Sequence, residues 1–140
     1  MKKIKVFLDD IRTPFMSHHN GKGLGAEFTN DWVIARDFDE FVNIIDNNFD
    51  NINLISFDHD LACFDENGEE LTGKTAVNYV IDYCLDNDKK FPDWYAHTDN
   101  TNGKENIVGA IINFLNKVEN KDISEFRNYH KGIVLNKFRS

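Results

Sequence analysis

Three short apolar runs in this chain stop abruptly on acids or histidines. KIKVFL ends on Asp9 and Asp10, INLISF on Asp58, His59 and Asp60, and WYA on His97, Thr98, Asp99 and Asn100. Crowded carboxylates raise one another's pKa values unless a cation sits among them. Magnesium prefers oxygen ligands and keeps several waters, so it suits one or two carboxylates plus a phosphate better than a closed protein cage. Asp9, Asp10 and Asp58 are therefore candidate ligands for Mg2+ or Mn2+. The competing reading, acids that cap helices or solvate loops, serves for any one of them and serves less well for three together.

His59 and His97 follow different strands, so a fold can bring both imidazoles to one pocket. Histidine titrates near neutrality and is the commonest general acid or base. Acid–base work or substrate contact is favoured here over ligation of a softer metal such as manganese or zinc. His18 and His19 lie in a Gly-containing stretch with no spacing that ties them to a site, and read as exposed loop groups. The stretch from Thr98 through Asn100 and Gly103 to Lys104 precedes a helix, where free N–H groups and the dipole favour an anion. It lacks P-loop spacing, so a capped turn explains it equally well. Arg12 and Arg36 stand just beyond strand ends, where a guanidinium can fork onto phosphate oxygens or neutralise nearby acids. GKGLGA is too far from the first strand to be a dinucleotide fingerprint.

The elements that must position these groups are legible as patterns. Lys3 to Leu8, Trp32 to Arg36, Ile52 to Phe57 and Trp94 to Ala96 read as strands. Phe38, Phe41, Ile44 and Ile45 recur at helical spacing after Asp37 or Asp39. Ala76, Val77, Val80, Ile81 and Cys84 follow a possible Thr72 cap, and Ile107, Ala110, Ile111, Phe114, Leu115 and Val118 form a third stripe beyond Gly103. DENGEE carries a turn around Asn67 and Gly68, residues 11–30 read as a long loop, and 121–140 as a tail whose Gly132 to Leu135 can make an edge strand. Strands alternating with helices imply right-handed crossovers and a mainly parallel sheet. The expected fold is a three-layer Rossmann-like α/β sandwich in one domain, its working edge beyond the carboxyl ends of the strands.

Composition limits the partners. The 140 residues carry a formal net charge of −8 and a pI near 5.0, so a long nucleic acid meets a repulsive field. The basic start breaks its apolar run with an acidic pair, unlike a signal peptide, and no window has the roughly 20 apolar residues needed to span a bilayer. A soluble cytoplasmic protein is expected, with no membrane partner. Cys63 and Cys84 lack CxxC spacing and read as free thiols.

Taken in order, LDDIRTP, WVIAR, ISFDHDL, LTGKTA and AHTDNTNGKENI resemble the cyclic-phosphate processing receiver-like domains, small bacterial and phage relatives of response-regulator receivers. The resemblance runs from Lys3 to about Phe114. It implies a receiver-like, flavodoxin-like sheet with a metal-dependent pocket for cyclic phosphates or cyclic nucleotides. It also implies that Asp9 and Asp10 match the acidic metal pair, Asp58 the acid after the third strand, and Thr98 a phosphate-contacting hydroxyl. His59, Asp60, His97, Asn100 and Asn106 would be the variant family's added catalytic or substrate-binding set. No lysine convincingly ends a fifth strand and no first crossover helix is evident, which argues against phosphorelay through Asp58. Two functions follow as expectations. One is a divalent-metal phosphoesterase acting on a small cyclic phosphate or cyclic nucleotide; the other is a non-catalytic module that binds a phosphorylated small molecule or nucleotide as a sensor or sponge.

Overall fold

The computed structural model describes residues 3–12, 32–98 and 100–119, together with the backbone of Ile133 and Val134. In chain order they form β1 (Ile4–Leu8), β2 (Trp32–Ala35), α1 (Phe38–Asn48), β3 (Ile52–Phe57), β4 (Asp60–Phe64), β5 (Glu70–Thr72), α2 (Gly73–Asn87), β6 (Asp93–Ala96), α3 (Thr101–Lys117) and β7 (Ile133–Val134). The main sheet has the order β2-β1-β3-β6-β7, parallel except for β7, which pairs antiparallel with β6 at the edge. This is the mainly parallel α/β architecture of the flavodoxin-like class.

The connections β2-α1-β3 and β3-α2-β6 step the same way across the sheet, so right-handed crossovers place both helices on one face. The core agrees. Val6, Leu8, Ile55, Phe57, Trp94 and Ala96 alternate along their strands onto that face and pack with Phe41 and Ile45 of α1, Val77 and Val80 of α2, and Ile107 and Ile111 of α3. Phe41 and Ile45 are wholly buried, a gain of ~1.5–3 kcal/mol for each such side chain. The opposite face carries Phe7, Ser56 and Tyr95 in one row, all buried.

Each helix begins on a cap that the sequence supplies. Asp37 accepts a hydrogen bond from the Glu40 N–H at 2.8 Å, and Thr72 and Thr75 form a reciprocal capping box. The helix α2 ends at Asp88, whose φ of 54° is the left-handed conformation that stops a helix. Asn100 caps α3, which therefore starts at Thr101, so Gly103 and Lys104 belong to the first turn and do not precede it. A second departure is the hairpin β4–β5, where the sequence shows only a turn. Its register slips between Asp60 and Cys63 around Ala62, at φ 51°, while Leu61 is turned into the core.

Beyond Arg12, the long loop, His18 and His19 lie outside the described residues, as does the 121–140 tail apart from Ile133 and Val134. The described helices account for one layer beside the sheet. Cys63 and Cys84 are free thiols, and burial pushes Cys84 up to about 12. No described helix is long and apolar enough to cross a membrane.

Candidate active site

Leu8, Phe57 and Ala96 are register partners across β1, β3 and β6, so the residues that follow them stand in the next row. Those residues are Asp9, Asp58 and His97. The ladder runs one bond further to hold them: Asp9 N–H donates to Ala35 O at 3.1 Å, Asp58 N–H to Leu8 O at 3.0 Å, and His97 N–H to Phe57 O at 3.0 Å. Because β1 connects outward to β2 before the chain returns to β3, the crevice between β1 and β3 is the topological switch point, where such sheets bind ligands.

All three side chains are buried, and one ligand-type atom from each lies within 4.8 Å of the others. His97 Nε2 is 3.0 Å from Asp9 Oδ2, and its Nδ1 is 2.7 Å from Ser56 Oγ. The ring crosses over β3 to do this, and the room comes from Ser56, the small residue in the row beneath Asp58. Phe7 stacks on the imidazole at 4.3 Å and 9°, which fixes its plane.

The two carboxylates differ in ionisation. Burial tends to raise Asp9, but hydrogen bonds from His97 and from the Arg12 and Ile11 N–H groups outweigh it and bring the carboxyl down to about 2. Asp58 is raised, first by burial and then by the Asp9 charge, against the opposing pull of His97, the His59 N–H and the Thr98 hydroxyl. Two buried acids that oppose each other's charge beside an imidazole make a donor set that a divalent cation fits. Asp10 is half-buried and is not one of the three clustered groups.

A second group adjoins the first. His59 Nδ1 is 2.9 Å from Asp60 Oδ1, whose carboxyl is lowered chiefly by that bond. A carboxylate only accepts, so in the neutral ring Nδ1 carries the proton and Nε2 keeps its lone pair. Asn100 Nδ2 reaches Asp60 at 3.3 Å while its Oδ1 accepts from the Gly103 N–H at 2.9 Å, joining this pair to the start of α3. Gly103 is required here, because a Cβ on it would lie 2.3 Å from His59 Cγ. Gly73 is equally constrained: its N–H donates to His59 O at 2.8 Å, and a Cβ would meet Asp58 O at 1.9 Å.

Of the other expected groups, Arg12 is about a third exposed, with Nε 3.9 Å from Asp9 Oδ2. Arg36 Nη1 donates to Arg12 O at 2.6 Å and Asp9 O at 3.2 Å, so it clamps the turn that presents Asp9. Thr98 is buried, and its Oγ1 accepts from the Asn100 N–H at 3.1 Å. Asn106 is exposed, one turn along α3 from Gly103. Sequence reading passed over Ser56, Phe7 and Gly73. Ser56 did leave a signal, a lone small hydroxyl in an apolar strand, two residues before Asp58 and hence on the same face.

A family model described as cyclic-phosphate processing receiver domain matches residues 4–113. No curated protein and no solved structure matches the chain.

Proposed function

We propose, from the premise that the chain belongs to the cyclic-phosphate processing receiver domain family, that it hydrolyses a small cyclic phosphate or cyclic nucleotide with the help of a divalent ion, Mg2+ or Mn2+. The observation that carries this reading is the buried Asp9–Asp58 pair at the switch point, next to an oriented His59–Asp60 pair. Asp9 and Asp58 would hold the ion, which when bound supplies a Lewis acid for a phosphoryl oxygen and makes water more acidic.

Ring opening adds water to phosphorus, breaks one ring P–O bond, and leaves the water's proton on the released hydroxyl. His59 is the group suited to carry that proton, since Asp60 fixes its tautomer and its side chain is 16% exposed. Arg12 would neutralise the phosphate, and the first turn of α3 adds N–H groups and the positive end of its dipole. Thr98 would hold Asp58 in place, while Arg36 would act only through the turn it clamps.

The test is incubation of the purified protein with Mg2+ or Mn2+ and a panel of 2′,3′- and 3′,5′-cyclic nucleotides. The expected product is a ring-opened monophosphate, formation of which stops on adding EDTA and falls roughly 10²- to 10⁴-fold in His59→Gln. Calorimetric binding of an unaltered cyclic nucleotide without turnover would replace the enzyme by a capture module. No turnover and no binding by any member of the panel would remove both.

A further inference from the structure

The two histidines of the site are held in opposite ways. The His97 side chain is 1% exposed and has both ring nitrogens engaged, with its plane fixed by Phe7. A proton shuttle must exchange with water or substrate, and the His97 side chain is almost without solvent access. His59, with one edge on Asp60 and some solvent access, has the freedom that His97 lacks.

Building on the metal-dependent reading above, we propose that His97 is the third protein ligand of the ion, through Nε2, and that Ser56 is its positioning residue. The site then takes a divalent ion that accepts nitrogen, Mn2+ or Zn2+, in preference to Mg2+. Donors about 2.1 Å from a shared ion are about 3.0 Å apart at right angles and about 3.4 Å apart at tetrahedral angles. The Asp9 Oδ2 to His97 Nε2 separation is 3.0 Å. Two carboxylates and a neutral imidazole balance a divalent charge, and three protein ligands leave positions for water and a phosphate oxygen.

Ser56 suits both states of the site because a hydroxyl donates or accepts. Without an ion, His97 Nε2–H donates to Asp9 and Nδ1 accepts from Ser56. With an ion, Nε2 gives its lone pair and Nδ1–H donates to Ser56 Oγ, the outer hydrogen bond usual for metal-binding histidine. Imidazole suits Zn2+ best; Mn2+, which also takes carboxylates readily, accepts it more weakly, and Mg2+ keeps to oxygen. Asp10, outside the cluster, is no part of this ligand set.

The experiment binds Mn2+ to the metal-free full chain and records pulsed electron paramagnetic resonance alongside calorimetry. The expected wild-type spectrum shows coupling to one directly bound ¹⁴N. That coupling persists in His59→Gln and vanishes in His97→Phe, which keeps a ring against Phe7. Ser56→Ala keeps the coupling and binds Mn2+ roughly 10- to 100-fold more weakly. Mn2+ bound without nitrogen coupling, or Mg2+ bound as tightly as Mn2+, overturns the ligand set and leaves metal dependence standing. Failure of the wild type to bind any of the three ions overturns the metal-dependent reading itself. Unchanged affinity in Ser56→Ala removes Ser56 from the proposal.

Discussion

Asp9 and Asp58 occupy neighbouring positions in one row, yet their effects on stability have opposite signs. Asp9 is held at about 2, below the ordinary value of 3.8. Its contribution, about 2 kcal/mol, is therefore fully present above the unfolded pKa and is lost as pH falls from about 4 toward 2. Asp58 is raised, so the folded state holds its proton more tightly than the unfolded chain does, and stability falls as pH rises through the raised value. At pH 7 in EDTA, Asp58→Asn should accordingly melt higher than the wild type, since Asn still accepts from the His59 N–H. Asp9→Asn should melt lower. A saturating divalent ion reverses the first ranking, because ion at 100 times its Kd adds about 2.7 kcal/mol to the wild type alone. Thermal melts with and without Mn2+ check this, and an Asp58→Asn variant less stable than wild type in EDTA refutes the sign.

At the scale of elements, α3 does two jobs that a pair of glycines separates. Within a helix, Gly to Ala is worth about 1 kcal/mol of propensity. At Gly109 an added Cβ meets nothing within 4 Å, so Gly109→Ala should raise the melting temperature and leave activity alone. At Gly103 the same gain is offset by the collision with His59, and the 2.9 Å bond to Asp60 cannot survive the displacement. Gly103→Ala should then melt within a few degrees of wild type but lose at least about tenfold in kcat, as misplacement of a reacting group costs. Full activity in Gly103→Ala would show that His59 does not need its place against α3. What the sequence disclosed of these elements follows the same physics. Buried parallel strands are near-continuous apolar runs, so KIKVFL and INLISF are plain, and the acids that end them mark the sheet's edge. The hairpin was not plain, because β5 has three residues and β4 bends at Ala62. Nor was the reach of His97 across β3, which depends on strand register and on the size of Ser56, neither of which has a period in sequence.

At the scale of the whole molecule, the field and the proposed site would pull an anionic ligand in opposite directions. The chain carries 24 acids against 16 lysines and arginines, a net charge of −8, so a phosphate approaches against repulsion. Close in, the proposed ion on Asp9 and Asp58, with Arg12 and the α3 dipole, would attract the same phosphate at contact range, where salt screens weakly. The two ranges separate by ionic strength, since the Debye length falls from about 30 Å at 0.01 M to about 8 Å at 0.15 M. Screening should remove the distant repulsion first, so kcat/KM for a cyclic nucleotide should rise a few-fold between those salt concentrations at saturating Mn2+. A site fed by a basic funnel shows the reverse slope. Steady-state kinetics across that range, with a neutral salt, decide between them: a fall would mean that positive charge near the site dominates the encounter, against the balance that the composition sets.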